Sequence, residues 1–109
     1  MAKKSVDFKS FLLQELKDPN LAVAYLNEHF QYRGPDRRKH LLLGIKNVVE
    51  AQGFTALSRQ SGISRRTLYQ AFSEKGNPTI GTLLALFDTI GVTIRFEAED
   101  GKKRKKSVA

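Results

Sequence analysis

Residues 54–92 read FTALSRQSGISRRTLYQAFSEKGNPTIGTLLALFDTIGV, and the fold turns on how this stretch divides into helices. Thr55 is a good N-cap for a short helix reaching Ser61, because a threonine hydroxyl accepts from an otherwise unpaired first-turn amide. Gly62 ends that helix, since glycine enters the left-handed conformation without a Cβ penalty. Ile63 fills the turn, and Ser64 caps a second helix running to about Glu74. That helix hides Leu68, Ala71 and Phe72 on one side and leaves Arg66, Gln70 and Ser73 on another. Gly76-Asn77-Pro78 closes it. Thr79 caps a last helix with Ile80, Leu83, Leu84 and Phe87 inward, and Gly91 terminates it. Leu57 faces the core, Ser58 is small enough for close helix approach, and Leu68 anchors the second helix. Two short helices in this register make a helix-turn-helix.

Upstream, Phe8, Phe11, Leu12 and Leu16 recur at three- and four-residue spacing, which predicts an amphipathic helix over 6–17 ended by Asp18-Pro19. Leu21, Ala22, Tyr25, Leu26 and Phe30 repeat the pattern with Pro19 in an early helical position. Tyr32 to His40 is a polar, basic linker. Leu41, Leu42, Ile45, Val48 and Val49 then define a third helix stopping near Gly53. Downstream, Val92, Ile94 and Phe96 alternate with Thr93, Arg95 and Glu97, the period of a half-buried strand. One strand cannot satisfy its own backbone, so Val92, Ile94 and Phe96 are expected to pair with a second copy in a homodimer. The chain therefore divides into a helical extension (1–31), a helix-turn-helix core (32–91), a dimerising strand (92–99) and a disordered basic tail (100–109).

With 109 residues there is room for one hydrophobic core. The absence of cysteine removes disulfides, thiolate metal sites and thiol catalysis. No apolar run approaches membrane-spanning length and the N-terminus lacks a signal-peptide pattern, which predicts a cytoplasmic protein without membrane contact. The net charge of +8 is unevenly spread. Residues 32–75 hold Arg33, Arg37, Arg38, Lys39, Lys46, Arg59, Arg65, Arg66 and Lys75 against Asp36, Glu50 and Glu74, and the Lys102–Lys106 run holds the second concentration. A basic block of this kind is a nucleic-acid footprint, and it coincides with the helix-turn-helix. His29 and His40 lie on different elements with no carboxylate cluster beside them, so surface or packing roles are expected. No carboxylate pair at catalytic spacing and no phosphate loop is present; neither an enzyme, a cofactor nor a metal site is expected.

The second helix of the motif is expected to enter a DNA major groove. Arg65 and Arg66 each have the fork that matches guanine O6 and N7, Gln70 matches adenine N6 and N7, and Thr67 suits a thymine methyl. Thr55 and Ser64, at helix N-termini, and Lys75 and Asn77 are placed for phosphate oxygens. The plainer reading is a helical hairpin with solvated arginines, and for Tyr69 a rim position beside Phe72. The basic tail suits either nonspecific phosphate contact or simple solubility.

From Phe54 to Phe96, with GISRRTLYQAFSEKGNPTIGTLLALFDTIGVTIRF at its heart, the chain resembles the addiction-module antidote family, HigA-like antitoxins with an XRE-type, Cro/repressor-like helix-turn-helix. Upstream, DPNLAVAYLNEHF is similar to that family's leading segment. The resemblance spans Leu16 to Phe96, and Leu68-Tyr69 and Gly76-Asn77-Pro78-Thr79 are its most specific parts. It implies a mainly all-α protein of about six helices around a lambda-repressor-like core with one C-terminal strand. It also implies a dimeric repressor that binds an inverted-repeat operator of its own operon and neutralises a small RelE/ParE-like toxin. Base-reading positions in such repressors correspond to Arg65, Arg66 and Gln70. Ala56 stands where a glutamine is common, Ser58 where alanine is usual, and the basic tail is outside the family pattern. Residues 8–30, outside the DNA-reading unit, either contribute to a toxin-facing surface or simply wrap the core. Two other readings fit the same residues, a free-standing XRE-type regulator without a toxin and a protein- or RNA-interaction module.

Overall fold

Helix boundaries in this chain are set by capping side chains and by glycines. The computed structural model describes residues 2–99, with side chains described from Phe8 onward. Six α-helices follow one another: α1 (Ala2–Glu15), α2 (Pro19–Gln31), α3 (Arg37–Gln52), α4 (Phe54–Ser61), α5 (Arg65–Ala71) and α6 (Ile80–Ile90). Asp18 caps α2 by accepting from the Asn20 amide at 2.9 Å, with Pro19 in the first turn. Thr79 caps α6 by accepting from the Thr82 amide at 3.0 Å. Gly62 and Gly91 end α4 and α6 at φ +83° and +87°, where a side chain would be strained.

The helices share one core, running from Leu16 through Ala22, Val48 and Leu57 to Leu68 and Leu86, each at most 2% exposed. α3 is its hub. On one flank it meets α2 along a ladder of rings, with centroids 4.3 Å apart for Tyr25–His29, 4.7 Å for His29–His40 and 3.9 Å for Tyr32–His40. The two histidines thus have packing roles, brought together by the α2–α3 turn. Asn47, the one buried polar side chain of the described core, donates to the Tyr25 hydroxyl at 2.7 Å. Burying an amide without a partner costs about 1–3 kcal/mol, a penalty that this bond avoids. Arg37 donates to the Tyr32 and Phe30 carbonyls at 2.7 and 2.8 Å, satisfying acceptors that the end of α2 leaves open.

Several sequence expectations are corrected. Residues 92–99 form no strand: among the described residues they have no ladder partner, and only the Val92 amide, donating to the Phe87 carbonyl at 2.9 Å, ties the segment's start to α6. A period-2 pattern supplies one apolar edge, but without a neighbouring strand in the same chain it cannot become a sheet. α4 begins two residues early. Gly53, at φ +94°, occupies the cap position, and Thr55 sits inside the first turn. α5 stops at Ala71 rather than near Glu74, because the chain turns back tightly at Gly76. Ile80 and Leu84 point outward, 74% and 46% exposed, while Leu86 and Phe87 take the inward positions. Along α1 and the turn that follows it the buried edge is Leu12, Leu13 and Leu16, with Phe8 and Phe11 more than 60% exposed. The basic tail at 100–109 lies outside the described residues.

Gly44 is buried where α3 meets α2, and a Cβ there would lie 2.6 Å from Cγ of His29, an atom close to its own backbone. Gly44→Ala is expected to destabilise the protein by about 1–3 kcal/mol, the usual range for overpacking, read as a lowered midpoint in urea unfolding. An unchanged midpoint would show that the ring ladder does not constrain α2.

Candidate nucleic-acid interface

Three residues, Gly62, Ile63 and Ser64, separate α4 from α5. The Ser61 hydroxyl accepts from the Ile63 amide at 3.2 Å within that turn. Ser64 then accepts from the Thr67 amide at 3.1 Å and donates to Thr67 Oγ1 at 2.9 Å, which fixes the first turn of α5. Once α5 starts there, 3.6 residues per turn decide which way each side chain faces. Leu68 is fully buried and Phe72 is 5% exposed, so the opposite face is turned to solvent.

That outward face carries Arg66 and Gln70 one turn apart, flanked by Arg65 and Tyr69. Arg65, Arg66, Thr67 and Gln70 are all exposed. Among the described residues none is covered by α1 or α2. The Arg65 guanidinium lies 5.8 Å from the Tyr69 ring centroid, and Tyr69 stacks on Phe54 of α4 at 4.5 Å. Tyr69 is thus a rim residue as expected, but its neighbour is Phe54. Cation–π attraction holds Arg65 toward that ring pair. Among the described residues the Arg66 and Gln70 side chains make no hydrogen bond. The face therefore presents a five-donor planar fork, which suits an edge with two acceptors, and an amide carrying both a donor and an acceptor, which suits an edge with one of each.

The positions singled out for anions are also exposed: Thr55, Ser64, Lys75 and Asn77. At the start of α4 no capping side chain occupies the first amides, since Gly53 has none to offer. Those amides and the positive end of the helix remain available to an anion. At the far end of α5, a Cβ on Gly76 would lie 2.2 Å from the Ala71 carbonyl oxygen and 2.3 Å from that of Gln70. Only glycine permits so close a return. Arg38 reaches from α3 to donate to the Gly76 carbonyl at 3.0 Å, pinning the turn that carries Lys75 and Asn77. Neither Arg38 nor Phe54 was identifiable as a positioning residue from spacing alone, because each acts across 15 or more residues of chain.

Two other surfaces stand out. Beside α5, two contiguous troughs of about 350 and 320 Å³ run along α3, sharing Lys46, Phe72 and Ser73. Elsewhere, a groove of about 200 Å³ lies between α2 and the C-terminal segment, lined by Val23, Leu26, Phe30, Phe87, Val92 and Ile94. An Arg33–Glu99 ion pair at 3.4 Å holds the far end of that segment to the α2–α3 turn. Ile94 is 45% exposed and Phe96 97%. Among the described residues no group of three or more His, Cys, Asp or Glu side chains is arranged to hold a metal ion, and no helix is long and apolar enough to cross a membrane.

The fold and this surface define a small all-helical protein that presents a short, polar helix face flanked by cations. Residues 7–98 match the family described as "probable addiction module antidote protein", and the chain belongs to that family. An uncharacterised protein of Haemophilus influenzae is 30% identical over 73 residues, covering 67% of this chain and 72% of that relative. No solved structure matches the chain. Membership of an antidote family implies a toxin as partner.

Replacing Gly76 by alanine is expected to cost about 1–3 kcal/mol, because the obstructing atoms are backbone carbonyls that cannot rotate away. Amide chemical shifts of residues 70–77 should move while those of α1 and α2 stay in place. A variant with wild-type stability and unmoved shifts at 70–77 would refute the close return drawn here.

Proposed function

We propose that this antidote protein is a sequence-specific DNA-binding repressor, acting as a homodimer on an inverted repeat upstream of its own operon, and that it neutralises a small RelE/ParE-like toxin. The observation that carries the DNA reading is the solvent-facing row Arg66–Gln70 on a helix whose other side is locked by Leu68. Arg65 and Arg66 would fork onto guanine O6 and N7, Gln70 onto adenine N6 and N7, and the Thr67 methyl would meet a thymine. Thr55, Ser64, Lys75 and Asn77 would take phosphates on either side and set the register of the helix in the groove. Together α4, the Gly62 turn and α5 serve as an XRE-type helix-turn-helix in this reading.

Dimerisation follows from the operator symmetry that such a repressor uses. Support comes from residues 92–97: Val92 is anchored to the core, while Ile94 and Phe96 offer apolar surface to a second copy. The toxin side rests on the family, and the α2 groove beside Phe30 is the apolar surface that α5 does not use.

A gel-shift titration on the protein's own upstream region tests the reading. Wild type should bind an inverted repeat, with sedimentation showing a dimer, and Arg66→Ala should lose about 1–3 kcal/mol and relax preference at one base position. Absence of any shifted fragment at low salt would dispose of the repressor reading. Arg66→Ala binding with wild-type affinity and preference would reject the assignment of base contact to that face.

A further inference from the structure

We infer that the trough between α3 and α5 is a phosphodiester-binding channel, in which Lys39 and Lys46 carry one strand's backbone past the helix that reads bases; this rests on the DNA-binding reading above. The two depressions beside α5 form a single course because both are walled by Lys46, Phe72 and Ser73. It starts at Phe54 and Tyr69, next to the open first turn of α4, and ends at Lys39 and Glu74, next to the Gly76 turn. The channel thus passes α5 at Tyr69 and continues along residues 72–74, which follow the helix.

Its unneutralised charge is positive on balance, Lys39 and Lys46 against Glu74. Lys9 is offset by Glu50 at 3.6 Å. Among the described residues Lys39 and Lys46 have no ion pair, and both are exposed. They are two helical turns apart on one face of α3, about 10 Å along the axis, too far to share one phosphate. Leu43, 50% exposed, and Phe72 supply an apolar floor for the lysine stems, which keeps the ammonium groups at the rim. A flexible point charge over an apolar bed suits a backbone contact, which needs charge without base geometry. The competing occupant is an acidic segment of a protein partner. The trough's place beside the Arg66–Gln70 face favours the strand, because a backbone held there leads directly to the helix proposed to read bases, whereas an acidic peptide gains nothing from that face.

The test compares the full chain with Lys39→Gln/Lys46→Gln and Lys39→Arg/Lys46→Arg double variants. Each is titrated with a duplex carrying the wild-type operator and with a scrambled duplex, at several salt concentrations. Removing two phosphate contacts should flatten the slope of log affinity against log salt by roughly 2, weaken both duplexes alike, and leave base preference unchanged. The arginine pair should restore the slope. Wild type that binds while the glutamine pair keeps the full slope overturns the channel and leaves the repressor reading standing. Wild type that binds neither duplex ends both. A glutamine pair with unaltered DNA titrations that no longer holds the co-expressed toxin would assign the trough to protein and reject the proposal.

Discussion

The burial of Leu68 is the constraint on which the proposed DNA-reading surface depends. α5 is seven residues long, too short to be stable by itself, so its orientation is imposed by what it packs against. With Leu68 fully enclosed and Phe72 beside it, rotation about the helix axis is no longer free. Truncating such a leucine costs about 2–5 kcal/mol, a large share of the roughly 5–15 kcal/mol that keeps a domain of this size folded. Arg66 and Gln70 face solvent as a consequence of that enclosure. The Ser64 cap and the Gly76 return fix the two ends, so the helix is held in rotation by a hydrophobic contact and in length by hydrogen bonding and close backbone approach.

Much of this was legible in the sequence because local rules and tertiary demands agree over residues 61–72. Ser64, Gly62 and Leu68 each do what capping, turn and periodicity rules assign to them. Agreement failed where the deciding partner is remote. Thr55 has the chemistry of a cap, but α3 ends at Gly53 and the chain enters α4 directly, leaving the threonine in the first turn. Ile80 and Leu84 fit an inward stripe, yet the core is completed by Leu86 and Phe87, which leaves Ile80 74% exposed. The alternation at 92–96 is real in the sequence but needs a neighbour that this chain does not provide. His29 and His40 had no visible relation until the α2–α3 turn stacked them. Arg38 and Lys39 were visible only as charge, since nothing local reveals which turn or trough a helix will face.

A single core also links parts that the sequence separates. Leu16, in the turn after α1, and Ala22 and Leu26 of α2 belong to the same apolar cluster as Leu57 and Leu68. α3 serves both sides, bearing α2 through Gly44 and the stacked rings, and bordering α5 through Leu43, Lys46 and Phe72. The apolar groove beside Phe30 and the polar face of α5 use different residues throughout. In the proposed reading, the toxin and the operator therefore meet separate surfaces on one framework.

The measurement that bears most directly on the orientation of α5 is a titration of labelled protein with an operator duplex, followed by amide and side-chain chemical shifts. Perturbations should cluster at Thr55, at 64–70 and at 75–77, with the guanidinium signals of Arg65 and Arg66 moving most and the methyl signals of Leu68 remaining protected. Shifts confined to α2 and residues 92–97, with α5 unaffected at saturation, would contradict the account.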